Sequence, residues 1–115
     1  MGLLSLVCCV LAVSGALAQS IPGGWGETSP VDLRTLEVVY SVRYEIMSRL
    51  YSMNIIPTDF RPILYRGRVA AGSGYLVKIH IGFGRFIHAN LFDHLNGPVE
   101  ILDIEVGKTY YDPLE

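Results

Sequence analysis

The sequence predicts an α+β domain in which one long helix packs on an antiparallel β-sheet. One stretch, residues 29–53, has apolar residues at helical spacing. Four later stretches are rich in β-branched and aromatic residues, and only short loops separate them. Because short loops join neighbouring antiparallel strands, we expect a four-stranded meander. The sheet should curl across the helix, since one helix must cover its apolar face.

The chain begins with a segment that has the pattern of a secretory signal peptide. An apolar run over Leu3–Val13 is too short to cross a bilayer. It is followed by Ala16-Leu17-Ala18, the small-x-small pattern that precedes a signal-peptidase site. We therefore expect a signal peptide over residues 1–18 and a single secreted domain over residues 19–115. An uncleaved membrane anchor is the alternative, and the short apolar run argues against it.

The cysteine content and the net charge limit the classes of partner. Cys8 and Cys9 are the only cysteines, and both lie in the predicted signal peptide, so the mature chain should fold without a disulfide. The net charge of −2 argues against nucleic acid or an anionic membrane as a partner. We expect no nucleic-acid binding and, once the signal peptide is removed, no membrane binding.

The helix is expected to begin at Ser29 and to end near Met53. Ser29 suits the N-cap and Pro30 suits the first helical position. The stripe expected to face the core comprises Leu36, Val39, Val42, Ile46, Leu50 and Met53. A second stripe comprises Leu33, Tyr40, Tyr44, Met47 and Tyr51. We expect this tyrosine stripe to form the shoulder of the same core, with its hydroxyls in water, and a partner surface is the alternative.

The predicted strands leave one unusual loop between them. They comprise Phe60–Val69, Tyr75–Ile81, Phe86–Phe92 and Val99–Val106. The first two are joined by Ala70–Gly74, a loop whose residues have almost no side chain. Because a hairpin needs only one or two glycines to turn, a tip this bare suggests that the loop fits into a narrow space.

Catalytic and metal-binding chemistry is not indicated by the sequence. The histidines are His80, His88 and His94. If a four-residue turn joins the second and third strands, His80 and His88 point to opposite faces of the sheet. A metal site would also lack a cysteine or a third ligand, and Ser73 has no predicted base nearby. We therefore expect neither an enzyme, nor a cofactor, nor a bound metal.

The strand after the bare loop carries the pattern Tyr-Leu-Val-Lys-Ile-His-Ile-Gly, residues 75–82. This pattern resembles the stefins, the type 1 cystatins, in which a Q-x-V-x-G loop precedes such a strand. Ile21-Pro22-Gly23-Gly24 is similar to the stefin N-terminal trunk, Phe86-Ile87-His88 to the next strand, and Lys108–Glu115 to the C-terminal strand. The resemblance implies a cystatin-like α+β fold, with one long α-helix packed on a four- to five-stranded antiparallel meander.

The resemblance also implies a function and a binding surface. It implies a secreted, reversible, tight-binding inhibitor of papain-like cysteine proteases (cathepsins) that blocks the active-site cleft with a wedge. The protease-binding residues would be Gly23 and Gly24 of the trunk, Arg68, Val69, Ala70, Ala71 and Gly72 of the first loop, and Leu95, Asn96, Gly97 and Pro98 of the second. A loop without side chains suits this role, because its backbone can approach the cleft walls closely.

Three positions depart from the family pattern. Arg68 stands where stefins have glutamine, and Ala70 where they have valine, a loss of about 1–2 kcal/mol at a buried contact. Trp25 follows the trunk glycines in a segment, residues 21–30, that otherwise reads as an extended or mobile tether, and it either contacts the protease or folds back. The departures leave open the alternative of a cystatin-fold binding or self-associating module without inhibition. We expect a monomer that can form a domain-swapped dimer through the first loop.

Overall fold

The structure, a computed structural model, describes residues 24–69, 72–94 and 96–115. Its elements are β1 (Ser29–Pro30), α1 (Leu33–Ser41), α2 (Arg43–Ser52), β2 (Arg61–Val69), β3 (Gly72–Gly82), β4 (Arg85–His94) and β5 (Val99–Lys108). The five strands form one antiparallel sheet in chain order, β1-β2-β3-β4-β5. The predicted α+β meander is confirmed. None of the helices in the described ranges has the length and apolar character needed to span a membrane.

The helical region starts later than the sequence analysis predicted. Asp32 is the N-cap, and its carboxylate accepts hydrogen bonds from the backbone N–H of Thr35 at 2.8 Å and the Thr35 hydroxyl at 2.7 Å. Ser29 and Pro30 pair with β2 instead. The predicted Ser29 cap was wrong because a residue before proline favours extended backbone, which here adds an edge strand to the sheet.

A break at Val42 divides the predicted single helix into α1 and α2. Val42 has φ −119° and ψ 14°, outside the helical range. Its N–H bonds the Val39 carbonyl at 3.1 Å, a tighter turn than an α-helix makes. Next to it, the Ser41 hydroxyl donates to the Val38 carbonyl at 2.7 Å. Such side-chain bonds to the preceding turn compete with the helical ladder and bend it.

The core lies between one side of the helices and one face of the sheet. The buried apolar side chains are Val38, Val39, Val42, Ile46 and Leu50 from the helical region and Tyr75, Val77, Ile79, Ile81, Ile87, Ala89, Leu91 and Ile101 from the sheet. Most of the predicted core stripe is therefore confirmed. Leu36 and Met53 are the exceptions. Leu36 is only half-buried and is not among the core residues, and Met53 follows the last residue of α2 and is exposed.

The opposite face of the sheet, which we call the outer face, is covered by the C-terminal segment, residues 109–115. Lys78 projects from this face, is 1% exposed, and donates from Nζ to the carbonyls of Thr109, Tyr110 and Asp112 at 2.9, 2.5 and 2.6 Å. β5 ends at Lys108, so the expectation of a C-terminal strand over Lys108–Glu115 was wrong. This stretch bonds a buried ammonium group instead of a neighbouring strand.

A bulge in the β3–β4 hairpin places His80 and His88 on the same face of the sheet. The register shifts between His80 and Gly82, so that His80 pairs with Phe86 and Lys78 pairs with His88. The prediction of opposite faces was therefore wrong, because it assumed an unbulged hairpin. Gly82 adopts φ +103°, which glycine permits and which accommodates the bulge.

The two histidines nevertheless have different environments. The His80 Nδ1 lies 2.8 Å from the Asp59 carboxylate, whereas His88 is buried under the C-terminal segment. In the part of the chain that the structure describes, no group of three histidine, cysteine or carboxylate side chains could hold a metal ion.

Candidate functional site

The predicted binding residues that the structure describes come together at one end of the sheet. β2 ends where β3 begins, and β4 ends where β5 begins, so the two hairpin loops are neighbours. The pairing of Gly72 with His94 joins them directly. The trunk reaches the same end, where the Gly26 N–H donates to the Gly67 carbonyl at 2.7 Å.

We call this end of the sheet the loop end. Its described residues are Gly24, Arg68, Val69, Gly72, Asn96, Gly97 and Pro98. Gly23, Ala70, Ala71 and Leu95 lie outside the described residues, as does the predicted signal peptide.

The first loop is shorter than the sequence suggested. Arg68 pairs with Gly74 and Val69 pairs with Ser73, so the strands extend into the predicted loop Ala70–Gly74. Val69 stands beside the tip with 76% of its surface exposed. The hairpin thus presents an exposed apolar side chain on a paired, rigid base.

Gly72 is required at the junction of the two loops. It has φ +139°, and a Cβ added there would lie 2.8 Å from both the Asp93 carbonyl oxygen and the Phe92 ring. A side chain at this position would push the first hairpin away from β4. Packing against β4 therefore explains why this position of the family motif is glycine in this chain.

The described residues of the second loop are open to solvent. Asn96, Gly97 and Pro98 are all exposed. Gly97 turns the chain with φ +122°, and no atom of the described residues lies within 4 Å of an added Cβ. At the base of the loop the His94 Nε2 lies 2.9 Å from the Glu100 carboxylate, which links the two strands. The loop can therefore meet a partner largely through backbone.

The segment after the trunk is attached to the domain at Trp25 and Gly26, contrary to the predicted mobile tether. The Arg68 guanidinium carbon lies 4.7 Å from the centre of the Trp25 ring. The Arg66 guanidinium donates to the carbonyls of Gly26 at 2.7 Å and Trp25 at 3.5 Å. Trp25 therefore folds back on the domain. Sequence analysis missed Arg66, although its spacing of two from Arg68 places both arginines on one face of a strand.

Most groups with shifted pKa values lie away from the loop end. Arg34 is the exception, because its pKa is raised by Asp93, which lies next to Gly72. Burial, reinforced by the charges of Lys78 and Lys108, lowers the pKa of His88 to about 4. Burial also lowers the pKa of Lys78, and hydrogen bonds from Thr35 lower the pKa of the capping Asp32. Shifted pKa values can mark reactive sites. Here they belong to the packing of the C-terminal segment, to the helix cap and to ion pairs such as Arg34–Asp93 and Asp59–His80.

The tyrosine stripe of the helices is exposed, so the expectation that it forms a shoulder of the core was wrong. Tyr44 is 91% exposed and Leu33 is 75% exposed, while Tyr40 and Tyr51 are about half exposed. The sheet packs only against the side of the helices that carries Val39. The tyrosine stripe lies on a side that the sheet does not reach. A shallow hollow of about 360 Å³ lies between Tyr44, Met47 and Tyr51.

Comparison with known proteins gives a consistent set of relatives. No family model matches the chain. The chain is 32% identical to cystatin-A from Bos taurus over 97 residues, which cover 82% of this chain and 96% of the relative. It is 27% identical to leukocyte cysteine proteinase inhibitor 1 from Sus scrofa over 99 residues, 84% and 93% of the two chains. It is 25% identical to cystatin-B from Homo sapiens over 95 residues, 80% and 94% of the two chains.

Proposed function

The chain belongs to the cystatin family, in its stefin branch, and we propose that it is a secreted, reversible, tight-binding inhibitor of papain-like cysteine proteases such as cathepsins. Cystatins are inhibitors and not enzymes, and one relative is named a cysteine proteinase inhibitor. The observation that carries the proposal is the loop end itself. The trunk and two hairpin loops meet there in one surface, although they lie far apart in the sequence.

The shape of the loop end suits a narrow protease cleft. The described residues next to its tips include Gly72, Asn96, Gly97 and Pro98, so backbone can approach the cleft walls. Val69 adds one exposed apolar contact. Both hairpins are held by strand pairing, and a preformed surface loses little conformational entropy on binding. The wedge would fill the cleft without placing a peptide bond at the catalytic cysteine, so the protease would be blocked and the inhibitor left uncleaved.

Inhibition can be tested by titrating papain and a cathepsin with the Gln19–Glu115 form. We expect inhibition at a one-to-one ratio that is reversed on dilution, with the inhibitor recovered intact by mass spectrometry. Val69→Asp should weaken it by about tenfold or more, because a desolvated carboxylate replaces an apolar contact. Phe83→Asp is the matched control, because Phe83 is 84% exposed at the opposite end of β3. Equal effects of the two substitutions would contradict binding through the loop end.

Secretion rests on the predicted signal peptide. Expression of the full chain in a eukaryotic cell should release a product whose first residue is Gln19. A product that stays in the cell with its first residues intact would overturn this part of the proposal and leave the inhibitor proposal standing.

A second candidate function is supported by the altered loop and by the exposed tyrosine stripe. Arg68 departs from the family motif, and Tyr44 presents an aromatic ring to solvent. A cystatin-fold binding module would keep the fold and lose inhibition. The same titration separates the two functions, because a correctly folded protein that fails to inhibit either protease would favour the module.

A further inference from the structure

The side chain of Trp25 is held over the outer face of the sheet beside the first loop. Its ring stacks on the Arg68 guanidinium, with 4.7 Å between the guanidinium carbon and the ring centre. Gly74 lies opposite Arg68 in the β2–β3 hairpin, and a Cβ added at Gly74 would lie 3.4 Å from Trp25 Cη2. The same added Cβ would lie 3.1 Å from Arg68 Cγ, so the glycine lets the Arg68 side chain lie close to β3 with the indole beside it.

The backbone of the trunk is fixed by the neighbouring arginine. Arg66 donates from Nε to the Gly26 carbonyl and from Nη2 to the Trp25 carbonyl, and the Gly26 N–H donates to the Gly67 carbonyl. Bonds from a guanidinium group are stronger than those between neutral groups. The direction in which the chain leaves the sheet at Gly24 is thus set by two arginines on one face of β2.

We propose that Trp25, Arg66 and Arg68 form a latch that anchors the base of the trunk, Trp25 and Gly26, beside the first loop before a protease binds. The inference rests on the proposed inhibitory function and deepens it. Arg68 stands at the glutamine position of the family motif. It then acts as a positioning residue, because it holds Trp25 and does not need to contact the protease itself. Arginine replaces the glutamine of the family motif because it provides a partner on which the Trp25 ring can stack.

The latch predicts how substitutions change protease binding. A trunk whose base is anchored at Trp25 has less freedom to lose when it enters the cleft. The gain in binding free energy can be no larger than the free energy of the latch contacts. Breaking a cation–aromatic contact of this kind should weaken inhibition by about two- to fivefold. Arg68→Gln, although it restores the family residue, should therefore weaken papain binding, and so should Trp25→Ala. Because the two residues act as one unit, the double variant should bind no more weakly than the weaker single variant.

The latch can be measured without any protease, because Trp25 is the only tryptophan in the chain. In the Gln19–Glu115 form, Arg68→Gln should shift the fluorescence emission to longer wavelength and raise quenching by acrylamide. Arg68→Lys should restore part of the parent signal, since it keeps the cation. Arg61→Gln is the control, because it removes a positive charge from the other end of β2. All variants should show the circular dichroism spectrum of the parent.

The outcomes separate the latch from the inhibitory function. The latch is overturned if Arg68→Gln changes emission and quenching no more than Arg61→Gln does. It is also overturned if the effects of Trp25→Ala and Arg68→Gln on papain binding simply add. If the parent protein fails to inhibit papain or a cathepsin, the proposed function fails, and the fluorescence measurements still decide whether the latch exists.

Discussion

Acidification should destabilise this fold through a single buried imidazole, His88. The side chain is 3% exposed, and neither ring nitrogen has a hydrogen-bond partner among the described residues. Burial, together with the positive charges of Lys78 and Lys108, lowers the pKa of His88 from 6.5 to about 4, while Glu105 and Asp112 oppose the shift more weakly. The folded protein therefore keeps this imidazole neutral at a pH where the unfolded chain protonates it.

The direction and size of the effect follow from this difference in pKa. Below pH 6.5 the unfolded chain binds a proton that the folded protein excludes, so the free energy of unfolding falls as the pH falls toward 4. The pKa difference corresponds to a loss of at most about 3 kcal/mol across this window. The lowered pKa values of Asp32, Asp59 and Asp112 add a separate loss, which begins as the pH falls below the ordinary value of 3.8.

Urea denaturation of the Gln19–Glu115 form between pH 7.5 and about pH 4.5 measures this loss. His88→Leu should be at least as stable as the parent at neutral pH, because it removes two buried nitrogens without partners. It should also flatten the dependence of stability on pH. His94→Leu is the matched control, because it removes an exposed imidazole from the same strand. If His88→Leu and His94→Leu both keep the pH slope of the parent, the reasoning about His88 is refuted.

Three further predictions concern the C-terminal segment and the loop end. Lys78→Met should reduce the free energy of unfolding by about 2–4 kcal/mol and speed amide exchange in residues 109–115, since three carbonyls lose their donor. Lys108→Met should cost less than about 1 kcal/mol, and equal losses would contradict the role of Lys78 in holding the C-terminal segment. In thermal melts, Gly72→Ala should destabilise the fold by about 2–4 kcal/mol, and Gly97→Ala, where the structure leaves open space, by about 1–2 kcal/mol. A larger loss of stability for Gly97→Ala would be inconsistent with the contact between Gly72 and β4. Heating the mature protein just below its melting temperature should yield a domain-swapped dimer, resolved by size-exclusion chromatography, that does not inhibit papain because the first loop has straightened. A fully inhibitory dimer would exclude a swap through this loop.

The parts of the fold that sequence predicted are those set by local patterns of burial. The helical spacing of Val39, Ile46 and Leu50 reflects one buried side of the helical region and is confirmed. The stretch Tyr75–Ile81 is confirmed as a strand, although Leu76 and Lys78 on its outer face are buried as well. The N-cap was not predictable in this way. Ser29 and Asp32 are both good caps, and the choice is decided by strand pairing with residues far along the chain. The faces of His80 and His88 depended on a bulge that side-chain patterns do not reveal.

The candidate site was predicted from resemblance more than from local chemistry. The bare first loop indicated a tip for a narrow space, but its neighbours in space came from the family pattern. The role of Arg66 was not predicted, because the Gly26 carbonyl that it binds lies 40 residues away in sequence. The fate of Trp25 was likewise left open, because a contact between trunk and strand depends on tertiary structure. The exposure of the tyrosine stripe was missed for a similar reason, since periodicity does not show how far the sheet extends.

Arg66 also brings the two ends of the described domain together. Its guanidinium binds the Gly26 carbonyl on one side and the Leu114 carbonyl at 2.8 Å on the other, so these points lie within a few ångströms of each other. A peptide linker from Glu115 to Gln19 would close the predicted mature chain into a ring, and new ends could be opened in the exposed turn at Phe83 and Gly84. Such a circular permutant would carry its trunk as an internal segment. Exopeptidases, which digest chains from free ends, could then no longer shorten the trunk.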